Sequence, residues 1–234
     1  MTRVRVGTSG YSYKEWKGSF YPADIKAADM LRFYSERFDT VEINNTFYRM
    51  PSPTALAPWV EQTPPAFSFV LKAPQRITHQ KRLAAIDDDI AYFFAAVAHL
   101  GDKLGPILFQ LPPYSKKDVA RLRALLQLVP TGRRVALEFR HESWLSEDVF
   151  DCLRSANAAL CVADTDEEPL DDIRSTADWG YLRLRRIEYD EAALGAWAER
   201  VGAQRWQDAF VFFKHEDEGK GPAFAKAFRE VVVA

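Results

Sequence analysis

The chain has 234 residues, with 31 lysines and arginines against 33 aspartates and glutamates, for a formal net charge of −2. At 47% hydrophobic and 27% charged it has the balance of a globular chain, and this length supports one sizeable core without metal or disulfide staples. The near-zero net charge gives no general attraction for nucleic acid or anionic lipid, so any anion site must be local.

In chain order, short apolar runs alternate with segments of helical spacing. A strand is predicted over residues 3–9 (RVRVGTS), a helix over 29–38, a strand over 40–44 (TVEIN) and a helix over 54–62. A strand over 67–73 (FSFVLKA) precedes a helix over 87–100 capped by Gly101, and a strand over 106–111 (PILFQL) precedes a helix over 117–129. A fifth strand over 134–140 (RVALEFR), a helix over 146–156 and a sixth strand over 159–164 (ALCVAD) follow. The segment 165–179 is too short and too acidic for a full helix, and a helical turn near 170–174 is expected to replace it. Strands over 180–185 (GYLRLR) and 209–215 (AFVFFKH), with helices over 190–201 and 222–232, complete the series. Eight strands separated by helices, with no GxGxxG after the first, predict an α/β fold: a single (β/α)8 TIM-like barrel spanning 1–234, with a reduced helix between strands six and seven. Cys152 and Cys161 lack metal or redox spacing and are read as small core residues. No run approaches a membrane span, and MTRVRVGTSG lacks the apolar core of a signal peptide, so a cytoplasmic protein without membrane contact is expected.

In such a barrel, function sits where strands end and loops begin. Nearly every predicted strand ends in a polar side chain: Ser9, Glu42, Asn44, Lys72, Gln110, Glu138, Arg140, Asp164, Arg183, Arg185, Lys214 and His215. Strands also become polar simply on leaving a core, but period two puts Glu42 with Asn44, Glu138 with Arg140, and Arg183 with Arg185 on shared faces. A charge inside a barrel needs a partner, which favours a polar mouth.

The segments GTSGYSYKEWKGSFYP (7–22), VEINNTFYRMP (41–51), FVLKAPQRITH (69–79), ILFQLPP (107–113) and ALEFRHESW (136–144) resemble the DUF72, or YecE-like, family over almost the whole chain. The resemblance implies a TIM-like barrel and no particular reaction. Two places depart from common members: Arg185-Arg186 stands where many have His-Gly after the seventh strand, and Lys214-His215 where many have two asparagines after the eighth.

Glu42 and Glu138 are expected as an acid/base pair acting on a small polar or anionic ligand, whether by hydrolysis, isomerisation or lyase chemistry. Lys72 and Arg140 would hold substrate charge or tune the carboxylates, and Asn44 and Gln110 would orient the substrate. Flanking carboxylates are expected to raise the Lys72 pKa, which favours a charged partner over a nucleophile. Among loop aromatics, Trp16, Tyr48 and Trp144 are the expected ligand contacts, the other rings being packing. A divalent metal ion is the one cofactor considered, with Glu138, Asp164 and His215 as ligands, Glu42 assisting, and His79 and His141 less favoured. His99 is read as capping helix carbonyls. Arg183, Arg185, Lys214 and Lys220, with the glycines at 219 and 221 opening the last helix, are expected to form an anion site. A non-catalytic ligand-binding or scaffold protein is the alternative, and metal-dependent nucleic-acid processing a less favoured one.

Overall fold

The computed structural model describes residues 2–169 and 172–233. Its strands are β1 (Arg3–Thr8), β2 (Thr40–Ile43), β3 (Ser68–Lys72), β4 (Leu104–Gln110), β5 (Val135–Glu138), β6 (Ala159–Asp164), β7 (Trp179–Leu184) and β8 (Asp208–Phe213). All pair in parallel, in the order β1-β8-β7-β6-β5-β4-β3-β2, around a nearly closed barrel. The helices are α1 (Met30–Ser35), α2 (Asn45–Tyr48), α3 (Pro53–Gln62), α4 (Asp87–Val97), α5 (Val119–Leu128), α6 (Glu147–Ser155), α7 (Glu191–Gly202) and α8 (Lys220–Val233).

The strands read as continuous apolar runs because both their faces are covered. Alternate residues such as Val70, Leu108, Ala136, Cys161, Tyr181 and Phe212 fill the interior, while Leu71, Ile107, Leu137, Val162, Leu182 and Val211 face the helices. Helix starts follow local chemistry. Ser52, Asp118 and Asp190 accept hydrogen bonds from the amides of Ala55, Arg121 and Ala193, capping α3, α5 and α7. His99 Nδ1 meets the Ala96 carbonyl at 3.0 Å, as a helix-end cap should. Both cysteines are buried thiols. Among the described residues, no helix is long and apolar enough to cross a membrane.

The seam between β1 and β2 closes the ring differently from the other strand pairs. One isolated bridge joins Ser9 to Glu42, and below it the Tyr34 hydroxyl stands in for a ladder bond. It accepts from the Thr8 amide at 2.9 Å and donates to the Thr40 carbonyl at 3.1 Å. Gly7 makes this approach possible, since a Cβ there would lie 2.2 Å from Thr40 O.

Predicted and observed boundaries differ mainly where strands run out. β5 ends at Glu138, β7 at Leu184 and β8 at Phe213, leaving Arg140, Arg185, Lys214 and His215 on the loops above the barrel. A short α2 and a π-helical turn over Arg76–Gln80 lie in segments too short to show helical periodicity. The β6–β7 connection carries no helix among its described residues; the turn expected near 170–174 begins on residues outside them, and 172–174 are not helical.

Candidate functional site

The inward positions at the carboxyl ends of β2, β3, β4, β5 and β7 place Glu42, Lys72, Gln110, Glu138 and Arg183 in one hydrogen-bonded cluster. Arg183 is its hub. Its guanidinium donates to Glu138 Oε2 at 2.6 Å and to Glu42 Oε1 at 2.9 Å, with all three side chains buried. Tyr181, two residues earlier on the same face of β7, donates its hydroxyl to Glu42 Oε2 at 2.6 Å. Asn44 Nδ2 approaches Glu42 Oε1 at 3.3 Å. Gln110 donates to Glu138 Oε1 at 2.5 Å and accepts from Lys72 Nζ at 2.6 Å, so its amide orientation is fixed by an acceptor on one side and a donor on the other. Arg140 Nε adds a bond to Glu138 Oε1 at 3.1 Å.

Burial is the largest single influence and pushes both carboxyls up, but it is outweighed by Arg183 acting together with Tyr181 at Glu42 and with Arg140 and Gln110 at Glu138. Glu42 is held below its usual value and Glu138 down to about 2. Both are therefore fixed anions at neutral pH. Lys72 behaves in the opposite sense to the sequence expectation. Burial, then the Arg183 charge, outweigh the two carboxylates and bring its ammonium down to about 8. Its Nζ lies 4.1 Å from the centre of the Phe47 ring, which shields one side. Arg185 lies 4.0 Å from Glu138, and Lys214 is 3.9 Å from Glu216. Burial and neighbouring cations lower the pKa of both, led by Arg183 for Arg185 and by Arg185 for Lys214. Five cationic side chains, Lys72, Arg140, Arg183, Arg185 and Lys214, thus stand against three carboxylates, Glu42, Glu138 and Glu216, leaving a surplus of positive charge at the mouth.

The whole-chain family model for DUF72, a protein family of unknown function, matches residues 5–234. The chain belongs to the DUF72 family. It is 31% identical over 157 residues to UPF0759 protein YunF of Bacillus subtilis (strain 168), covering 63% of this chain and 54% of YunF. It is 30% identical over 118 residues to UPF0759 protein YecE of Escherichia coli (strain K12), covering 50% of this chain and 43% of YecE. The matches thus span about half the length of these curated relatives. A solved DUF72 family protein, TM1631 of Thermotoga maritima MSB8, superposes with a TM-score of 0.86 at 29% identity, over 99% of this chain and 100% of that one. The DUF72 protein EF0366 of Enterococcus faecalis V583 shares the fold at a TM-score of 0.81 and 19% identity, over 99% and 96% of the two chains.

Several sequence expectations for this DUF72 barrel need correction. Glu42 and Glu138 share the mouth, but as counter-charges to Arg183 their oxygens are occupied, and neither is poised to exchange a proton near neutrality. Arg183 is for the same reason a structural hub with two carboxylate partners. Trp16 and Trp144 are each 1% exposed and serve packing. Trp16 sits among Tyr13, Phe20 and Tyr21, and Trp144 stacks on Phe139 at 4.5 Å while its Nε1 donates to Ser115 O at 2.7 Å. Tyr48 alone of the three is open, at 73% exposure.

The metal ligand set does not assemble, and no group of three His, Cys, Asp or Glu side chains that could hold a metal ion occurs among the described residues. Glu138 is engaged as above, Asp164 is bound by Arg186 and Tyr189, and His215 bonds to the Arg186 carbonyl and packs against Phe224. Of the two other histidines considered, His79 is hydrogen-bonded to Thr78 and packs on Phe47, and His141 accepts from the Ser143 amide. The anion site expected at the last helix is likewise divided, with Arg183 turned to the carboxylates and Lys220 paired with Glu188. The sequence reading missed Tyr181, and it took Phe47 as a packing ring of the second loop without its contact to Lys72. Tyr181 was recoverable from its period-two relation to Arg183; Phe47 reaches Lys72 only through the short α2, which leaves no periodic signature.

Proposed function

We propose that this DUF72 barrel is an enzyme acting on a small anionic substrate, with Lys72 as the group that takes up and returns a proton. One observation carries this: Lys72 ends a barrel strand in a mouth with surplus positive charge, and its ammonium is brought down to about 8. Roughly a tenth of such a lysine is neutral at neutral pH, enough to act as a base, while the rest can serve as an acid.

The carboxylates support a particular division of labour. Glu42 and Glu138, held ionised by Arg183, are fixed electrostatic elements that keep the guanidinium and the Lys72–Gln110 pair in place. Arg140 and Arg185, 39% and 23% exposed, are the side chains available to hold the anionic group, with Lys214 beside them. Arg183 Nε, buried and without a partner, is a further unspent donor. Proton transfer next to an anionic group is the step common to isomerases and lyases, and this arrangement favours them over a hydrolase with paired carboxylates.

The test is turnover across a panel of phosphate monoesters, hydroxy acids and 2-oxo acids, followed by proton NMR in deuterated buffer. Isotope exchange or product formation by the wild-type protein, lost in a folded Lys72→Met variant, is the expected result. Turnover that survives Lys72→Met with an unchanged pH profile would refute the assignment.

A further inference from the structure

Two local features of the barrel combine beside the mouth. The first is that β5 and β6 pair only through Ala136–Ala159 and Leu137–Leu160, while β6 continues to Asp164 without a neighbour on that side. The second is the connection from β6 to β7, which carries no helix among its described residues, so that α6 on the preceding side packs against β6 without a helical neighbour following it. A strand in such a barrel normally buries its outer face under the following helix. Here the two gaps merge into a cavity of 710 Å3 that opens from Glu138, Arg140 and Arg185 and runs along β6.

Its wall is made by Leu160, Cys161, Val162 and Ala163. Cys161 belongs to the interior cluster and Val162 to the helix-facing one, so the cavity passes through the wall of the barrel rather than lying on one side of it. The β6–β7 connection lines it with Thr165, Glu167, Glu168, Asp172 and Arg174. The chemistry differs from side to side: Arg140 and Arg185 beside the mouth, apolar residues along β6, and on the β6–β7 connection three carboxylates against one guanidinium, Arg174, a net negative lining. The volume is in the range of pockets that enclose a small organic molecule.

We infer that the cavity is a specificity pocket for the uncharged, apolar body of an anion whose head group lies against Arg140 and Arg185. This rests on the anionic-substrate reading above and names the substrate class: a carboxylate or phosphate monoester with one anionic end and an aliphatic or aryl body. The net negative lining of the β6–β7 connection, three carboxylates against Arg174, selects against a second anionic group on that body. Apolar contact along β6 supplies affinity that the head group alone does not.

Calorimetric titration of the full chain with inorganic phosphate, acetate, butanoate, hexanoate and hexanedioate tests this. Hexanoate is expected to bind at least roughly thirtyfold more tightly than acetate, since burying a methylene is worth about fourfold. Hexanedioate is expected to bind more weakly than hexanoate. Thr165→Trp, on the cavity rim, and Ala163→Phe, on its wall, are expected to reduce the hexanoate-to-acetate ratio to below about threefold, with urea midpoints confirming that each variant folds. The ratio is internal to each variant, so a change in head-group affinity does not imitate the effect. A flat ratio in the wild-type protein with phosphate and acetate both bound overturns the pocket and leaves the anion site standing. An undiminished ratio in folded Thr165→Trp, or hexanedioate binding as tightly as hexanoate, also overturns it. Failure of every anion to bind overturns the anion site itself.

Discussion

Replacing Arg183 by leucine removes the guanidinium that holds two buried carboxylates ionised, and the consequence is a reversal in how stability responds to pH. In the wild-type protein Glu138 is brought from 4.5 to about 2. A carboxyl lowered by that amount contributes roughly 3 kcal/mol, present above 4.5 and lost as pH falls toward about 2. Glu42 shifts in the same direction and adds to the effect. In Arg183→Leu the burial that already opposes ionisation acts without its main opponent, so the folded carboxyls titrate above their unfolded value. Their contribution is then intact below 4.5 and lost as pH rises through the raised folded value. Near neutrality the cost is about 3–5 kcal/mol, the penalty of leaving buried charge uncompensated. Urea unfolding followed by tryptophan fluorescence across a pH series measures both. Adding Glu42→Gln and Glu138→Gln to the variant should restore much of the loss, because the stranded charge is gone. A loss below ~1 kcal/mol, or an Arg183→Leu profile that still declines toward acid like the wild type, would refute the hub role of Arg183.

Because Lys72 is brought from 10.5 to about 8, the unfolded chain holds the extra proton between those values and wild-type stability rises with pH across that window. Lys72→Met should remove a rise of up to roughly 3 kcal/mol, read as the difference between the two urea-midpoint profiles. Tyr34→Phe deletes the hydroxyl that serves Thr8 N and Thr40 O, and denaturation should show a loss of about 1–3 kcal/mol from the two stranded backbone groups. Gly7→Ala places a Cβ 2.2 Å from Thr40 O and should cost more than Tyr34→Phe, because a backbone atom cannot move aside without opening the seam. Trp144→Phe loses the bond to Ser115 O and should cost about 1–3 kcal/mol in the same assay, with phosphate affinity in calorimetry changed by less than about twofold.

The barrel was legible in the sequence because its strands are buried on both faces and therefore appear as uninterrupted apolar runs, eight times over. The mouth was legible in position for a related reason: period-two alternation within 134–140 and 180–185 forces Glu138 and Arg183 to the inner face wherever the strand boundaries fall. Roles were another matter. Sequence adjacency linked Arg140 to Glu138, whereas the dominant partner of Glu138 is Arg183, 45 residues away and reached only by closing the barrel. The direction of the Lys72 shift was misjudged because local charge counting saw carboxylates and could not see the burial and the Arg183 charge that outweigh them. Trp16 and Trp144 appeared ligand-facing from their polar neighbours, yet an indole in a loop can turn inward while its neighbours face solvent. The cavity beside β6 comes from what is missing, a helix and a stretch of strand pairing; only the missing helix left a trace, in the acidic segment 165–179.

The measurement that bears most directly on the proposed anion site is NMR titration of the lysine side-chain amino groups, with Lys72 assigned by the resonance absent from Lys72→Met. In the free protein Lys72 should titrate at about 8, below the 10.5 of an ordinary lysine. Saturating inorganic phosphate should move that midpoint upward, since an anion bound in the mouth favours the ammonium form. A Lys72 that titrates at the ordinary value, or whose lowered midpoint does not respond to phosphate at any concentration, would contradict an anion site in which Lys72 is the proton-exchanging group.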